Sequence, residues 1–135
     1  MKSLPTLLQE AQVAFNEFIR KRDAGGASHF KCISCGEIKP IEYMDAGHYY
    51  SVKVAPGLRF DEDNAHSQCN FCNRFLYGNL KKYAINLVKK IGPQRFSELI
   101  QRKAEYQRNG HKWSRSEVED IRDYYREKVR ELEKV

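Results

Sequence analysis

Two Cys-x-x-Cys pairs constrain the fold of this 135-residue chain more than any other feature. They are Cys32 with Cys35 and Cys69 with Cys72, and together they include every cysteine in the sequence. Because two thiolates separated by two residues can both turn toward one metal ion, the two pairs suit a single tetrahedral zinc. A zinc ion held by four thiolates has no open coordination position, so we expect it to be structural and not catalytic.

The length of the segment between the pairs indicates inserted structure. Its 33 residues exceed the usual spacing of a compact zinc ribbon. No apolar run approaches the roughly 20 residues of a membrane span, and residues 1–9 lack the regions of a signal peptide. We therefore expect one domain with helical extensions in a reducing cytoplasm, where four thiols more often bind a metal than form disulfides.

Positive charge is concentrated in one part of the chain. The net charge is +6, but residues 81–113 carry nine basic and two acidic side chains, whereas residues 29–80 carry five and six. This segregation fits a polyanionic partner such as nucleic acid, with a solvated helix face as the alternative. The lysines expected to contact DNA phosphates are Lys81, Lys82, Lys89 and Lys90.

Apolar periodicity and turn signals predict a strand-rich centre between helices. A first helix should run from Leu4 to about Asp23, because Gly25-Gly26 is a strong stop. Residues 29–75 are predicted to form short strands and loops. The expected hairpin pairs residues 41–51 with residues 58–60 around the turn Ala55-Pro56-Gly57.

Three further helices are predicted after the centre. They cover residues 76–90, residues 93–107 and a last stretch to about Glu133, for which Ser116 and Glu119 form the expected capping box. The predicted fold is therefore α+β, and the chain divides into three parts. These are an N-terminal helix (1–28), a zinc-bound core (29–80) and a basic helical extension (81–135) that serves DNA binding or oligomerisation.

Polar residues near the two pairs suggest a second, catalytic site. Asp45 and His48 lie between the pairs, Asn64 lies five residues before Cys69, and Asn73 directly follows Cys72. Hydrolysis of a phosphodiester needs a base for water and a Lewis acid for the phosphate. An imidazole suits the base, and carboxylate or amide oxygens suit a hard ion such as magnesium.

This combination of motifs resembles the HNH endonucleases, whose fold is the ββα-metal finger, in a variant with Asn at the third motif position. A closer resemblance is to the phage NinG/Rap recombination endonucleases, and it covers most of the chain. It rests on Cys-Ile-Ser-Cys-Gly (32–36), Asp-Ala-Gly-His-Tyr-Tyr-Ser (45–51), Leu-Arg-Phe-Asp-Glu-Asp-Asn-Ala-His (58–66), Gln-Cys-Asn-Phe-Cys-Asn (68–73) and Tyr-Gly-Asn (77–79).

The resemblance implies a role for each matching residue. His48 would be the general base, Asn73 a ligand of a catalytic magnesium or manganese ion, and Asn64 the residue that orients the His48 loop through backbone hydrogen bonds. HNH proteins commonly place Asp immediately before the His, whereas Gly47 stands there in this chain. Asp45 is then expected to be a metal ligand, if a bulge at Ala46-Gly47 turns it toward His48. The alternative is that Asp45 does not touch the metal and instead holds one of the residues that bind it.

Other candidates carry two interpretations each. His66 is expected to be a packed structural residue, with a supporting role at the metal as the alternative. Arg59 would bind the scissile phosphate or be an exposed strand arginine, and Trp113 with the last helix would serve a homodimer or pack within the chain. Aromatic packing is expected for Tyr49, Tyr50 and Phe60, and no catalytic role is expected for His29 and His111.

The resemblance implies a metal-dependent endonuclease that cuts branched recombination intermediates such as D-loops and Holliday junctions. The partners would be branched DNA and a second copy of the chain, in the cytoplasm of a phage-infected bacterium. A non-catalytic zinc-finger protein that binds nucleic acid is the alternative, since it requires the cysteines and lysines but gives His48 and Asn73 no function.

Overall fold

Within residues 1–134, which the computed structural model describes, four α-helices enclose two small antiparallel sheets. The α+β class and the order of a helix, a strand-rich centre and three helices are confirmed. The elements are α1 (Leu4–Ala24), β1 (His29–Lys31), β2 (Ile38–Pro40), β3 (Met44–His48), β4 (Ala65–Cys69), a π-helical turn (Phe71–Phe75), α2 (Leu80–Ile91), α3 (Pro93–Asn109) and α4 (Arg115–Glu133).

The first helix forms as its sequence pattern predicts. The Ser3 hydroxyl accepts a hydrogen bond from the Thr6 backbone N–H at the start of α1, where it satisfies one of the free donors. The helix ends at Ala24, one residue later than predicted, because Gly25 adopts a left-handed conformation with φ of 57°. Its buried residues follow the predicted apolar face and include Leu7, Ala11, Ala14, Phe15 and Ile19.

The predicted hairpin is wrong in its second strand. β3 pairs with β4, from Met44 opposite Cys69 to His48 opposite Ala65, and not with residues 58–60. Leu58 lies instead in a short 3-10 turn and is fully buried in the cluster that joins α2 to α3. The predicted bulge at Ala46-Gly47 is also absent, since five successive residue pairs of β3 and β4 stay in register.

Two of the three C-terminal helices begin at residues other than those predicted, α2 later and α4 earlier, whereas α3 begins at Pro93 as predicted. α2 starts at Leu80 and not at residue 76, because the π-helical turn precedes it and Tyr77, Gly78 and Asn79 all have positive φ. The capping box of α4 is formed by Ser114 and Glu117 and not by Ser116 and Glu119. Ser114 has the extended backbone that a cap requires, whereas position 116 is already inside the helix.

The β3–β4 hairpin lies between helices on its two faces. On one face, α1 packs against Ala46 and Ala65, and α4 joins the same cluster through Tyr125. On the other face, the hydroxyl of Tyr83 in α2 donates a 2.6 Å hydrogen bond to the Gly47 carbonyl. Trp113 packs within the chain, edge-on to Phe60. Within the described residues, every helix is too short or too polar to cross a lipid bilayer.

Candidate functional site

The structure brings the four cysteines together at one point. Cys32 follows β1, Cys69 ends β4, and Cys72 lies in the π-helical turn. The four Sγ atoms lie within 4.8 Å of one another, and none forms a disulfide. Cys35 Sγ and Cys69 Sγ are 4.0 Å apart, close to the separation of about 3.8 Å that tetrahedral Zn–S bonds of 2.3 Å require.

Backbone N–H groups prepare the sulfur of Cys32 to bind a cation, whereas burial raises the pKa of Cys35 and of Cys72. Cys32 Sγ accepts hydrogen bonds from the backbone of Ser34, Cys35 and Cys69 at 3.3–3.4 Å. Burial opposes ionisation of the Cys32 thiol, but these donors outweigh it and hold the pKa of Cys32 below its ordinary value. The donor set therefore fits a structural metal such as zinc, which would join the β1 turn to the end of the hairpin.

Asp45 and Asn73 meet beside the cysteine cluster. Asn73 Nδ2 donates a 3.0 Å hydrogen bond to Asp45 Oδ2, so the Asn73 amide oxygen is turned away from the carboxylate. Arg74 also binds this carboxylate, through Nη2 to Oδ1 at 2.8 Å and Nε to Oδ2 at 3.0 Å. One carboxylate and one amide oxygen are donors that a hard divalent ion accepts, provided that Arg74 gives up its contact and the Asn73 amide turns its oxygen toward the carboxylate.

Sequence reasoning did not single out Arg74, although its position next to Asn73 was an available signal. The guanidinium is largely exposed and Asp45 is mostly buried. Because the Arg74 side chain extends into solvent, it can leave the carboxylate without opening a cavity in the core. A metal ion can thus take the place of Arg74 at the Asp45 carboxylate, and a phosphate group can take the place of Asp45 at Arg74.

The packing of Gln68 explains why glycine precedes His48. A Cβ on Gly47 would lie 1.9 Å from Gln68 Oε1 and 2.8 Å from Gln68 Cδ, so no larger side chain fits there. Gln68 is fully buried, and its Nε2 is held by the Ser34 hydroxyl and the Gly78 carbonyl. Asp45 lies two residues before Gly47 and therefore on the same face of β3. Because no side chain fits at position 47, position 45 is the first position before it on this face that can carry an acid.

His48 lies on the opposite face of β3 from Asp45. Its ring faces α1, with the centroid 6.0 Å from that of Phe15. Nε2 lies 3.0 Å from the Arg59 carbonyl, and because a carbonyl can only accept, Nε2 carries the proton of the neutral ring and Nδ1 is the unprotonated nitrogen. Burial lowers the pKa of His48, so the ring is neutral at pH 7. The structure thus unites Asp45 with Asn73 but does not bring His48 to them.

Asn64 is fully buried and closes the loop that follows β3. Its Oδ1 accepts from the Tyr50 backbone N–H at 2.9 Å, and its Nδ2 donates to the carbonyls of Tyr50 and Leu58 at 3.0 and 3.2 Å. The Asn64 carbonyl also accepts from the Tyr49 backbone N–H. One side chain therefore holds the backbone on both sides of the loop between the hairpin strands, next to the carbonyl that fixes His48.

Replacing Asn64 with alanine is expected to lower the free energy of unfolding by about 2–4 kcal/mol, because buried backbone groups lose partners that water does not replace. Urea denaturation of the zinc-loaded protein measures this loss. Asn16→Ala is the matched control, since the Asn16 side chain accepts only from Gln12 on the same helix. A change below about 0.5 kcal/mol at Asn64 would contradict the structural role.

The remaining candidates have structural partners. His66 is buried, with Nε2 2.9 Å from the Asp63 carbonyl and Nδ1 3.2 Å from Arg22 Nη2. Burial and the nearby cations Lys90 and Arg22 lower the pKa of His66 to about 3. Arg59 is not an exposed strand residue, because it lies in a loop and donates to Gln12 of α1 at 2.9 Å.

The four lysines predicted to contact DNA differ in their surroundings. Lys81 and Lys82 are exposed at the start of α2. Lys89 and Lys90 line a cavity of about 530 Å³, which Arg22 and Lys31 also line. Lys90 Nζ is 2.9 Å from Asp23 Oδ2 there, so part of its charge is already compensated. Lys81 and Lys82 are the more available pair for a phosphate backbone.

The fold and the site define a class: a small α+β protein whose short hairpin is tied by four cysteines able to bind one metal ion. The family model described as Bacteriophage Lambda NinG protein matches residues 1–135, and the chain belongs to this NinG family. It is 39% identical over 125 residues to protein NinG of Escherichia phage 933W, and 38% identical over 125 residues to those of Escherichia phage lambda and Salmonella phage P22.

These alignments cover 93% of this chain but only 56–57% of each relative. The chain therefore spans a little over half the length of the relatives that it matches. No solved structure matches it.

Proposed function

We propose that this protein is a metal-dependent endonuclease that hydrolyses phosphodiester bonds in branched DNA such as D-loops and Holliday junctions. The observation that carries the proposal is the meeting of Asp45 and Asn73 beside the cysteine cluster, with 3.0 Å between the amide nitrogen and the carboxylate. These two residues are far apart in sequence and belong to different elements. The resemblance to the NinG/Rap recombination endonucleases supplies the branched substrate.

Each residue has a chemical role in this proposal. The Asp45 carboxylate and the Asn73 amide oxygen would hold magnesium or manganese, which supplies Lewis-acid polarisation of the phosphate. Arg74 would release the carboxylate and bind a phosphate oxygen instead. The resemblance to the HNH endonucleases makes His48 the base that would accept the proton of the attacking water, and the bound DNA would have to reach its ring on the face of β3 opposite Asp45. Asn64 would hold the loop that carries this carbonyl.

The basic surface supports nucleic acid as the partner. Lys81 and Lys82 would contribute affinity for phosphates without base specificity, and this affinity should fall as salt is added. Lys89 and Lys90 would add to it around their shared cavity. Two copies of the chain would present two active sites to a four-way junction.

A cleavage assay on linear, flapped, D-loop and four-way DNA tests the proposal. The wild-type protein should cut branched substrates with magnesium or manganese, and Asn73→Ala should slow cleavage about 100-fold or more because one metal ligand is lost. Zinc content and junction binding should not change. Asn70→Ala is the matched control, since Asn70 lies between Cys69 and Cys72, three residues before Asn73. A wild-type protein that cuts no branched DNA with either metal would exclude the endonuclease.

A non-catalytic zinc-containing DNA-binding protein is the second candidate. It is favoured by the position of His48, which faces α1 and not Asp45, and by the ion pair that Arg74 makes with Asp45. In that case Asn73→Ala and Asn70→Ala would bind junctions equally and neither the variants nor the wild-type protein would cleave them.

A further inference from the structure

A group of large apolar side chains is exposed within and directly after the second Cys-x-x-Cys pair, Cys69 with Cys72. Phe71, Phe75 and Tyr77, here called the aromatic ridge, are 52%, 69% and 89% exposed. Leu76 and Leu80 beside them are also exposed. Single exposed apolar residues are ordinary, but a contiguous group of this size on a small protein marks an interaction surface.

The backbone beneath the aromatic ridge is fixed while its side chains remain outside the core. The π-helical turn closes with a 3.1 Å hydrogen bond from the Leu76 N–H to the Phe71 carbonyl, and it places the rings of Phe71 and Phe75 nearly parallel, 5.8 Å apart. Such turns occur often at functional sites. Gly78 anchors the next residues, since its N–H donates to the Cys72 carbonyl at 2.8 Å.

Tyr77 is held in an unfavourable backbone conformation. Its φ is 50°, in the left-handed region that costs a side-chain-bearing residue free energy. Its ring gains almost no burial in return, because it is the most exposed tyrosine in the described chain. The conformation therefore presents an aromatic ring to a partner and adds nothing to the core.

The charge around the aromatic ridge indicates the chemistry of that partner. Residues 70–90 contain five basic side chains and no acidic one, and two of the five, Arg74 and Lys90, form ion pairs with acids outside this segment. Arg74 lies between Phe71 and Phe75, and Lys81 and Lys82 follow within a few residues. A second copy of the chain would bring this positive surface against itself. A polyanion with flat apolar faces is complementary in both respects, and unpaired nucleobases have that chemistry.

We propose that the aromatic ridge stacks on unpaired DNA bases while Arg74, Lys81 and Lys82 contact the adjoining phosphates. The proposal rests on the proposed function, because it names how the same protein would recognise branched DNA. A D-loop exposes unpaired bases, and an open four-way junction interrupts base stacking at the point where its strands exchange. The ridge lies on the turn that carries Asn73, so bases bound there would put the neighbouring phosphodiester next to the candidate catalytic residues.

Fluorescence anisotropy with zinc-loaded protein and no catalytic metal tests the ridge independently of cleavage. The probes are a labelled four-way junction, a duplex with a single-stranded gap and a blunt duplex of the same length. Phe75→Ala/Tyr77→Ala should weaken binding to the gapped duplex and the junction by about 5- to 150-fold, the range expected for lost base stacking. Binding to the blunt duplex should change less than about twofold, and circular dichroism and zinc content should match the wild type.

Two further variants separate stacking from other causes. Phe75→Leu/Tyr77→Leu keeps apolar area but loses aromatic faces and should behave as the alanine variant, whereas Tyr124→Ala, at a half-exposed tyrosine on α4, should bind as wild type. Equal losses on blunt and gapped DNA, or leucine variants with wild-type affinity, would overturn the proposal. So would a wild-type dimer that the alanine variant dissociates without any loss of DNA binding. If the wild-type protein never cleaves DNA but the alanine variant still loses affinity for the gapped duplex, the proposed endonuclease activity is wrong and the proposed base stacking stands.

Discussion

Replacing Cys69 with serine is expected to release the bound metal and unfold the centre of this protein. Cys69 is fully buried at the end of β4, and its backbone N–H donates to Cys32 Sγ. The metal would tie the turn after β1 to β4 and to the π-helical turn. Structural zinc sites contribute about 10–16 kcal/mol in small domains, which equals or exceeds the total stability of about 5–15 kcal/mol of an ordinary domain.

Zinc content by atomic absorption and thermal unfolding by circular dichroism measure the effect. The variant should contain less than one zinc per four chains and lose its cooperative transition, and a strong chelator should produce the same result in the wild type. Ser97→Ala, at an exposed site on α3, is the control, and its zinc content and thermal transition should match those of the wild type. A Cys69→Ser protein that is fully folded and free of zinc would remove the metal from the account of stability.

Replacing His48 with alanine is expected to abolish cleavage of branched DNA while the protein stays folded and still binds junctions. A positioned general base contributes about 10²–10⁴-fold to the rate. The ring also packs on Phe15 and bonds to the Arg59 carbonyl. His48→Asn provides a second variant that keeps an N–H donor of similar reach. Both should lose cleavage, whereas His29→Ala, at an exposed residue of β1, should cut as wild type.

The pH dependence gives this prediction a second measurement. Burial holds the pKa of His48 below its ordinary value of about 6.5, so the base is already unprotonated at pH 7. The rate should be flat from pH 7 upward and fall only as the pH drops below about 6.5. His48→Ala variants that cleave at the wild-type rate would show that the base lies elsewhere. In that case His48, which lies across β3 from Asp45, would have a structural role only, through its contacts with Phe15 and the Arg59 carbonyl.

The helices and the cysteine cluster follow from local patterns. An apolar face, a capping serine and Gly25 define α1 to within one residue at its end, because these signals act within a few residues of each other. The two Cys-x-x-Cys pairs likewise predicted that the four cysteines lie together, since four thiols in a chain this short have few other uses. The role of Asn64 came from the family resemblance and not from a local pattern, and its three side-chain hydrogen bonds to backbone groups have the form that the resemblance implied.

Strand pairing did not follow from local patterns. The turn at Ala55-Pro56-Gly57 suggested that Leu58 begins a strand, but Leu58 is buried against α2 and α3, and this burial is decided by helices that come later in the chain. The partner of β3 is β4, whose last residue, Cys69, lies opposite Met44. Pairing partners are set by contacts between remote residues, which a short window of sequence does not contain.

The sequence by itself determined the helices, the α+β class, the four-cysteine cluster and the NinG family. Only the tertiary structure decided which polar residues meet. It joined Asp45 to Asn73, placed Arg74 on the same carboxylate and filled the space over Gly47 with Gln68. It also put His48 on the other face of β3. The physical reason is that side chains alternate across a strand, so an unbulged register fixes which residues can share a site.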